Sequence, residues 1–386
     1  MIFNSATGAN AMTKTFRAAV LRAAGAERPY AISRPLAIET VELPPPAEGE
    51  VLVQIKAASI CHSDLSVVNG DRRWPLPIVP GHEAAGVVAE AGPGVTSVKG
   101  GDRVALIFLT QCGNCARCVE GKPFLCERGT QANREGRLIT GGPRLSIGGQ
   151  PVHHHMGLSA FAEYALVSEK SLVKIPPELG FVEASLFGCA VMCGAGTALY
   201  SAAIKPGDTV AVFGLGGVGL SAILGVRIAG ATRIIAVDGN PSKKDLALSL
   251  GATDFIAAEG AAQAIRALVP QGVDAAIDAS GTVDGFEQAL ESTRRGGSTV
   301  TVSLPDAGKQ FHFPLSRLVA EARTIRGSYI GSCIPSRDIP TFIGLYRQGR
   351  LPVERLISAT LTLDRINEAM DALTDGHAVR QVITIE

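Results

Sequence analysis

Cys112, Cys115, Cys118 and Cys126 stand within fifteen residues of one another, separated by two, two and seven residues. Four thiolates so close in the chain can complete a tetrahedral zinc and leave no exchangeable position, so the chemistry they offer is structural rather than catalytic. A metal there would order a polar loop that has little core of its own, because binding and ordering share one free energy. Disulfides or an iron–sulfur cluster are the alternatives; the tight local spacing disfavours disulfides. The other four cysteines, Cys61, Cys189, Cys193 and Cys333, are scattered. Clustering of this kind reads as metal binding before a secreted disulfide framework.

A second chemical element is the run Gly214-Leu215-Gly216-Gly217-Val218-Gly219, preceded by the apolar Val210–Phe213 and followed by a helical pattern from Val218 to Ala229. In a strand–turn–helix context the glycines permit a tight turn, close approach to a pyrophosphate and close packing of helix on sheet. The helix start then offers free N–H groups and a positive dipole end to phosphate. Asp238 ends the next strand, placed to accept hydrogen bonds from ribose hydroxyls and to repel a 2′-phosphate. Gly239 supplies no cation, and Lys243 is close enough to reach the same ribose. The combination points to NAD rather than NADP.

The elements that must position these groups change character along the chain. Short β-like runs at Phe16–Leu21, Leu36–Val41, Val51–Ala57, Gly86–Glu90 and Val104–Phe108 alternate with Pro and Gly, the pattern of a small, partly open barrel. From about Val191 strands alternate with helices: Val210–Phe213, Ile234–Val237, Phe255-Ile256, Asp274–Ile277, Thr299–Val302 and Thr324–Gly327. Asn240-Pro241 reads as a helix start and Gly251 as its stop. Such alternation argues for a parallel, doubly wound α/β sheet. The expected organisation is a barrel-containing domain over 1–190 and 334–386, interrupted by a dinucleotide-binding domain over 191–333.

Composition narrows the functional classes. Of 386 residues, 46% are hydrophobic and 19% charged, which favours compact folding over disorder. Lys+Arg and Asp+Glu are equal at 36, so no basic surplus points to nucleic acid. No apolar run reaches the ~18–20 residues of a membrane span. The segment Met1–Thr15 has no basic head and apolar core, so it reads as a loose extension rather than a secretory signal, with Met12 as a second possible start. These features give the expectation of a cytoplasmic protein with no membrane and no nucleic-acid partner.

Three further groups are individually weak: Cys61-His62-Ser63-Asp64, Gly81-His82-Glu83 and Gly188-Cys189. Together with the four-cysteine lobe, the glycine loop and the late Val379-Arg380, they make the run from Cys61 to Arg380 resemble the zinc-containing medium-chain alcohol dehydrogenases, with a liver-type, class III-like character. The resemblance implies a GroES-like catalytic domain, a Rossmann domain, two zinc ions per chain and NAD. It also implies reversible hydride transfer between a small primary or secondary alcohol and NAD, giving aldehyde or ketone. On it, Cys61, His82 and Cys189 fall on the catalytic-zinc positions, an open Cys2His set. Asp64 would orient His82, and Glu83 would stand behind the metal. Ser63 would take the substrate proton, while His62 and Arg380 would grip the pyrophosphate. Phe108, Met156 and the position of His155 would line an apolar substrate channel. Cys189, where polyol dehydrogenases usually carry Glu, favours simple alcohols.

The sequence also departs from that pattern. Ser66 stands where liver-type relatives place a terminal histidine base, so the proton is expected to leave through the ribose hydroxyls to water. His62 replaces a frequent Arg and is charged only part of the time near neutral pH, so NAD binding is expected to weaken as pH rises through its pKa. Gln131 and His155 are more polar than the channel positions of relatives, and His153-His154-His155 reads as a structural loop. Leu65 ranks S-(hydroxymethyl)glutathione (formaldehyde) dehydrogenase second as an activity. A zinc-free quinone reductase and a non-enzymatic NAD/zinc redox-sensing protein are the remaining rivals. The long segment from Cys126 to Phe161 favours a homodimer joined near Thr324–Cys333.

Overall fold

The apolar runs of the chain's middle third build one parallel sheet whose central strands are buried on both faces. In the computed structural model, which describes residues 13–306, 308–376 and 378–386, six strands lie side by side. Their order is Asp254–Ala257, Arg233–Asp238, Thr209–Phe213, Val273–Asp278, Thr293–Thr301 and Thr324–Gly327. All neighbours are parallel. The order reverses between Thr209–Phe213 and Val273–Asp278, which opens a crevice at their carboxyl ends, where open α/β sheets bind ligands. Helix Gly217–Ala229 opens at that crevice and stops at Gly230, whose φ of 89° is the left-handed cap. The Asn240-Pro241 signal marks a 3-10 turn, Pro241–Lys243, that continues into helix Lys244–Leu250 before Gly251.

The short strands of the first half divide into two bodies. Lys14–Leu21, Leu36–Leu43, Leu145–Ile147, Gln150–His154 and Ile78–Val79 close into a barrel. Its separate small core includes Phe16, Val20, Val41, Leu145 and Val152. Lys14 and Thr15, expected in a loose extension, belong to the first of these strands; Met1 and Met12 lie outside the described residues. The second body is a seven-stranded sheet centred on Glu50–Ile60. Arg380–Thr384, at the end of the chain, pairs antiparallel with Glu50–Ile60, Gln381 facing Ile60. The last residues therefore pack beside Cys61.

Among the described residues, no single helix is long and apolar enough to cross a membrane. The bent pair Phe181–Gly188 and Ala190–Ser201, broken by 54°, meets only the length and composition test. Cys189 sits in that break, and its φ of −144° and ψ of −70° belong to neither helix.

His154 shows how the barrel is tuned. It is wholly buried, and its Nε2 accepts a 3.3 Å bond from the Arg144 N–H. Burial pushes its pKa down to about 3. The unfolded chain therefore takes up a proton from about pH 6.5 downward that the folded chain refuses, so stability is full above that pH and is lost toward pH 3. Between pH 7.5 and 5 this residue alone is expected to cost about 2 kcal/mol. Urea unfolding of His154→Gln should lose that part of the pH slope.

Candidate active site

Cys61 and His82 come together because their strands are neighbours. Glu50–Ile60 pairs with Ala84–Ala91, the Ser59 N–H donates to the Glu83 carbonyl at 2.9 Å, and Cys61 follows one strand as His82 precedes the other. Gly81, at φ 96°, makes the turn into His82; a Cβ there would meet the Phe161 nitrogen at 2.5 Å. Cys189 reaches the same point from the helix break. The donor atoms of Cys61, His82, Glu83 and Cys189 all lie within 4.8 Å of one another, and all four residues are buried. Two thiols, an imidazole and a carboxylate at this separation fit a zinc ion, with Cys61, His82 and Cys189 as the softer set.

Asp64 fixes this arrangement. As the third residue of helix His62–Val68 it accepts the Cys61 N–H at 3.0 Å on Oδ2. Its Oδ1 faces His82 Nδ1 at 2.8 Å and accepts the Gly81 N–H at 3.2 Å. Burial raises its pKa, but His82 and His155 outweigh that and hold it below the ordinary value. Glu83 Oε1 accepts from Arg380 Nη1 at 2.9 Å, and the same Nη1 donates to the Ile60 carbonyl at 3.0 Å. Burial pushes the Glu83 carboxyl up to about 7, with Arg380 opposing.

The four-cysteine lobe is built separately. Its sulfurs lie within 4.8 Å of one another, with Cys112 to Cys118 and Cys115 to Cys126 both at 4.0 Å. Tetrahedral coordination at a Zn–S length of about 2.3 Å sets sulfurs about 3.8 Å apart, so the set fits. Backbone N–H groups of Cys112 and Gly129 point at Cys126 Sγ, and that of Cys115 at Cys112 Sγ. All eight cysteines are free, which removes the disulfide alternative.

At the crevice, Gly214 has a φ of 83° and a Cβ at Gly219 would stand 1.7 Å from the Gly214 carbonyl oxygen, so both positions demand glycine. A Cβ at Gly216 or Gly239 would meet nothing within 4 Å, so both positions face open space. Asp238 accepts the Leu215 N–H at 2.6 Å and lies 3.2 Å from Lys243 Nζ. Arg380 lies against Gly217, and its Nε, although buried, has no partner among the described residues. His62 is exposed at its helix start. Close-packed cleft atoms first, then Arg380 and Lys243, hold its pKa below the ordinary value. The expected pH window therefore moves to below about 6.5.

A cavity of about 1030 Å³ joins the two halves. Cys61, Ser63, His82 and Cys189 line it, together with Val218, Val302, Phe108 and Met156. His155 does not line it, contrary to expectation. Its ring is wholly buried, turned to Asp64 and edge-on to Trp74 at 4.9 Å. Gln131 is also displaced: its amide is bonded to Glu135, and it lines a smaller adjoining hollow. Ser66 Oγ donates to the His62 carbonyl at 2.8 Å, within its own helix. Sequence reasoning missed Trp74, Cys193 and Tyr329, and the arginines 72, 73 and 134, all on the cavity wall. Cys193 carried a signal, standing one helical turn beyond Cys189; the others carried none.

Comparison with known proteins gives this arrangement its family. Residues 47–177 match the alcohol dehydrogenase GroES-like domain and residues 217–348 the zinc-binding dehydrogenase domain. Two relatives are the S-(hydroxymethyl)glutathione dehydrogenase of Escherichia coli O157:H7, 38% identical over 92% of this chain and 97% of its own, and that of Photobacterium damsela subsp. piscicida, 39% identical over 90% and 96%. Similar solved structures include an alcohol dehydrogenase zinc-binding domain protein from Burkholderia ambifaria, 36% identical with a TM-score of 0.90, covering 97% of this chain and 100% of that one. Benzyl alcohol dehydrogenase from Acinetobacter calcoaceticus is 31% identical, with a TM-score of 0.90 and the same coverage. The chain belongs to the zinc-dependent medium-chain alcohol dehydrogenase family. It is an NAD-linked oxidoreductase with zinc and NAD as cofactors, of a family that acts on small alcohols and aldehydes.

Proposed function

We propose that the chain oxidises a primary or secondary alcohol with an apolar, aromatic or medium-length body, and reduces the matching aldehyde or ketone. The observation that carries this reading is one cavity lined by Cys61, His82 and Cys189, by Val218 of the glycine loop, and by Trp74, Phe108, Met156 and Tyr329. Cys61, His82 and Cys189 hold the catalytic zinc with Glu83 behind it, and the four-cysteine lobe holds the structural one. When bound, the catalytic zinc supplies Lewis acidity that makes a hydroxyl acidic and a carbonyl electrophilic. Asp64 keeps the His82 ring turned to its place. Ser63 Oγ, on the cavity wall, accepts the substrate hydroxyl proton. Ser66 Oγ is committed to the His62 carbonyl, so it would not carry the proton onward, and bound NAD would offer its ribose hydroxyls as the route to water. The glycine loop, His62 and Arg380 hold the pyrophosphate, and Asp238 with Lys243 holds the adenosine ribose. Residues 191–333 form the cofactor domain in this reading, and 1–190 with 334–386 the catalytic domain.

A screen of NAD reduction over alcohols, and of NADH oxidation over aldehydes and hydroxymethylglutathione, with zinc measured in the same sample, tests the proposal. No turnover of any apolar alcohol by zinc-replete enzyme would overturn it. One observation favours the glutathione adduct as a second reading: Arg72, Arg73 and Arg134 line the same cavity without an ion pair among the described residues. Turnover of that adduct alone would select this reading.

Asp238→Gly is expected to raise the KM for NAD about 10–100-fold, the worth of hydrogen bonds to a charged group, and to relieve exclusion of NADP. Steady-state kinetics with both cofactors checks it. The reading includes a cytoplasmic homodimer joined at the exposed edge strand Thr324–Gly327, near which Leu315 and Val319 are each 74% exposed. Light scattering giving the mass of one chain would remove the dimer.

A further inference from the structure

Asp64 carries more neighbours than the orientation of one histidine requires. Its Oδ2 accepts the Cys61 N–H and its Oδ1 the Gly81 N–H, so the carboxylate is already fixed from two sides when it meets His82. His155 Nδ1 lies a further 3.4 Å from that same Oδ1. The His155 ring stands edge-on to His82, centroids 5.5 Å apart and planes at 89°, and it is wholly buried. Neither of its ring nitrogens has a well-aligned hydrogen-bond partner among the described residues, and Asp64 Oδ1 is the charged acceptor within reach of Nδ1. Burying two ring nitrogens in that way is costly, and an aromatic hydrocarbon would fill the slot without the cost. Nor does the ring reach the substrate: Met156 and Trp74 lie on the cavity wall and His155 does not. Its backbone is held as well, its N–H donating to Ser159 Oγ at 3.0 Å. The one charged group the imidazole meets at close range is Asp64.

A carboxylate that accepts a ligand histidine's N–H raises the basicity of that ligand. Shared between two imidazoles, it gives each of them less. We propose that His155 is a positioning residue of the Cys61–His82–Cys189 zinc site, its Nδ1–H sharing Asp64 Oδ1 with His82 so that His82 donates less strongly to the metal. Zinc is then held less tightly and remains more electrophilic than it would with Asp64 serving His82 alone. The inference rests on the assignment of those three residues as ligands.

The test is zinc release from the full-length, zinc-loaded protein to an excess of a chromogenic chelator, following the ion whose loss tracks loss of alcohol-dependent NADH formation. His155→Phe is expected to slow that release about tenfold. His155→Asn, whose amide N–H can reach the same oxygen, should return the rate to that of the unmodified protein. An unchanged or faster release in His155→Phe overturns the proposal, because a packing role would loosen the site rather than tighten it. In the unmodified protein, histidine-selective nitrogen NMR should find the His155 proton on Nδ1; a bare Nδ1 overturns the proposal without any substitution. Two zinc ions per chain that both survive Cys61→Ala would instead overturn the ligand assignment, and the proposal with it.

Discussion

Cys189→Ala is expected to lower zinc from two ions per chain to one and to reduce kcat/KM by at least about a thousandfold, the several kcal/mol that metal stabilisation of the transition state supplies. The change removes a donor without disturbing a strand, because Cys189 occupies the 54° break between two helices. Cys61 and His82 would remain on their paired strands with Asp64 beneath them, two donors where zinc needs three. The glycine loop belongs to other elements, the turn from Thr209–Phe213 into helix Gly217–Ala229, so NAD binding, read by fluorescence, should change little. Zinc analysis and kinetics on one sample check both halves. Cys112→Ser should give the opposite pattern. It leaves the cavity wall intact but removes a sulfur that accepts the Cys115 N–H and lies 4.0 Å from Cys118. Its loss should appear first as a lower melting temperature.

What could be read from the residue order follows from how local each signal is. The four-cysteine lobe was legible because its ligands lie on one short loop, and the glycine loop because strand, turn and helix are contiguous. The parallel sheet was legible because its strands are short apolar runs between helices. The catalytic cluster is different in kind. Cys61, His82 and Cys189 meet through a strand ladder and a helix break, which no spacing rule encodes; family resemblance alone joined them. His155 was expected in the channel because it stands at a channel position of the family it resembles. It turns the other way, toward Asp64, where a buried polar ring finds a charge. The closing of the barrel also escaped, since two of its strands, Ile78–Val79 and Leu145–Ile147, are only two and three residues long. Tyr329 and the cavity arginines became functional candidates only once the tertiary structure set them around one cavity.

Arg380→Met is expected to destabilise the protein by about 3–5 kcal/mol, the usual cost of leaving one member of a buried ion pair alone. Arg380 is 3% exposed and Glu83 fully buried, and the bond between them ties the last strand to the residue after His82. Burial already pushes Glu83 up to about 7 with the guanidinium opposing it, so without Arg380 the carboxyl would fold only as the neutral acid. The double variant Glu83→Gln/Arg380→Met should recover more than half of the lost stability, because it buries no unpaired charge. Urea unfolding of the two single variants and the double variant completes the cycle. NAD affinity provides an independent axis. Arg380 lies against Gly217, at the opening of helix Gly217–Ala229, and its Nε has no partner among the described residues. If that guanidinium also meets the pyrophosphate, both Arg380 variants should bind NAD about 10–100-fold more weakly. Restoring stability in the double variant would not restore affinity. Full recovery of NAD affinity along with stability would confine Arg380 to holding Glu83, and leave the phosphates to His62 and the helix N-terminus.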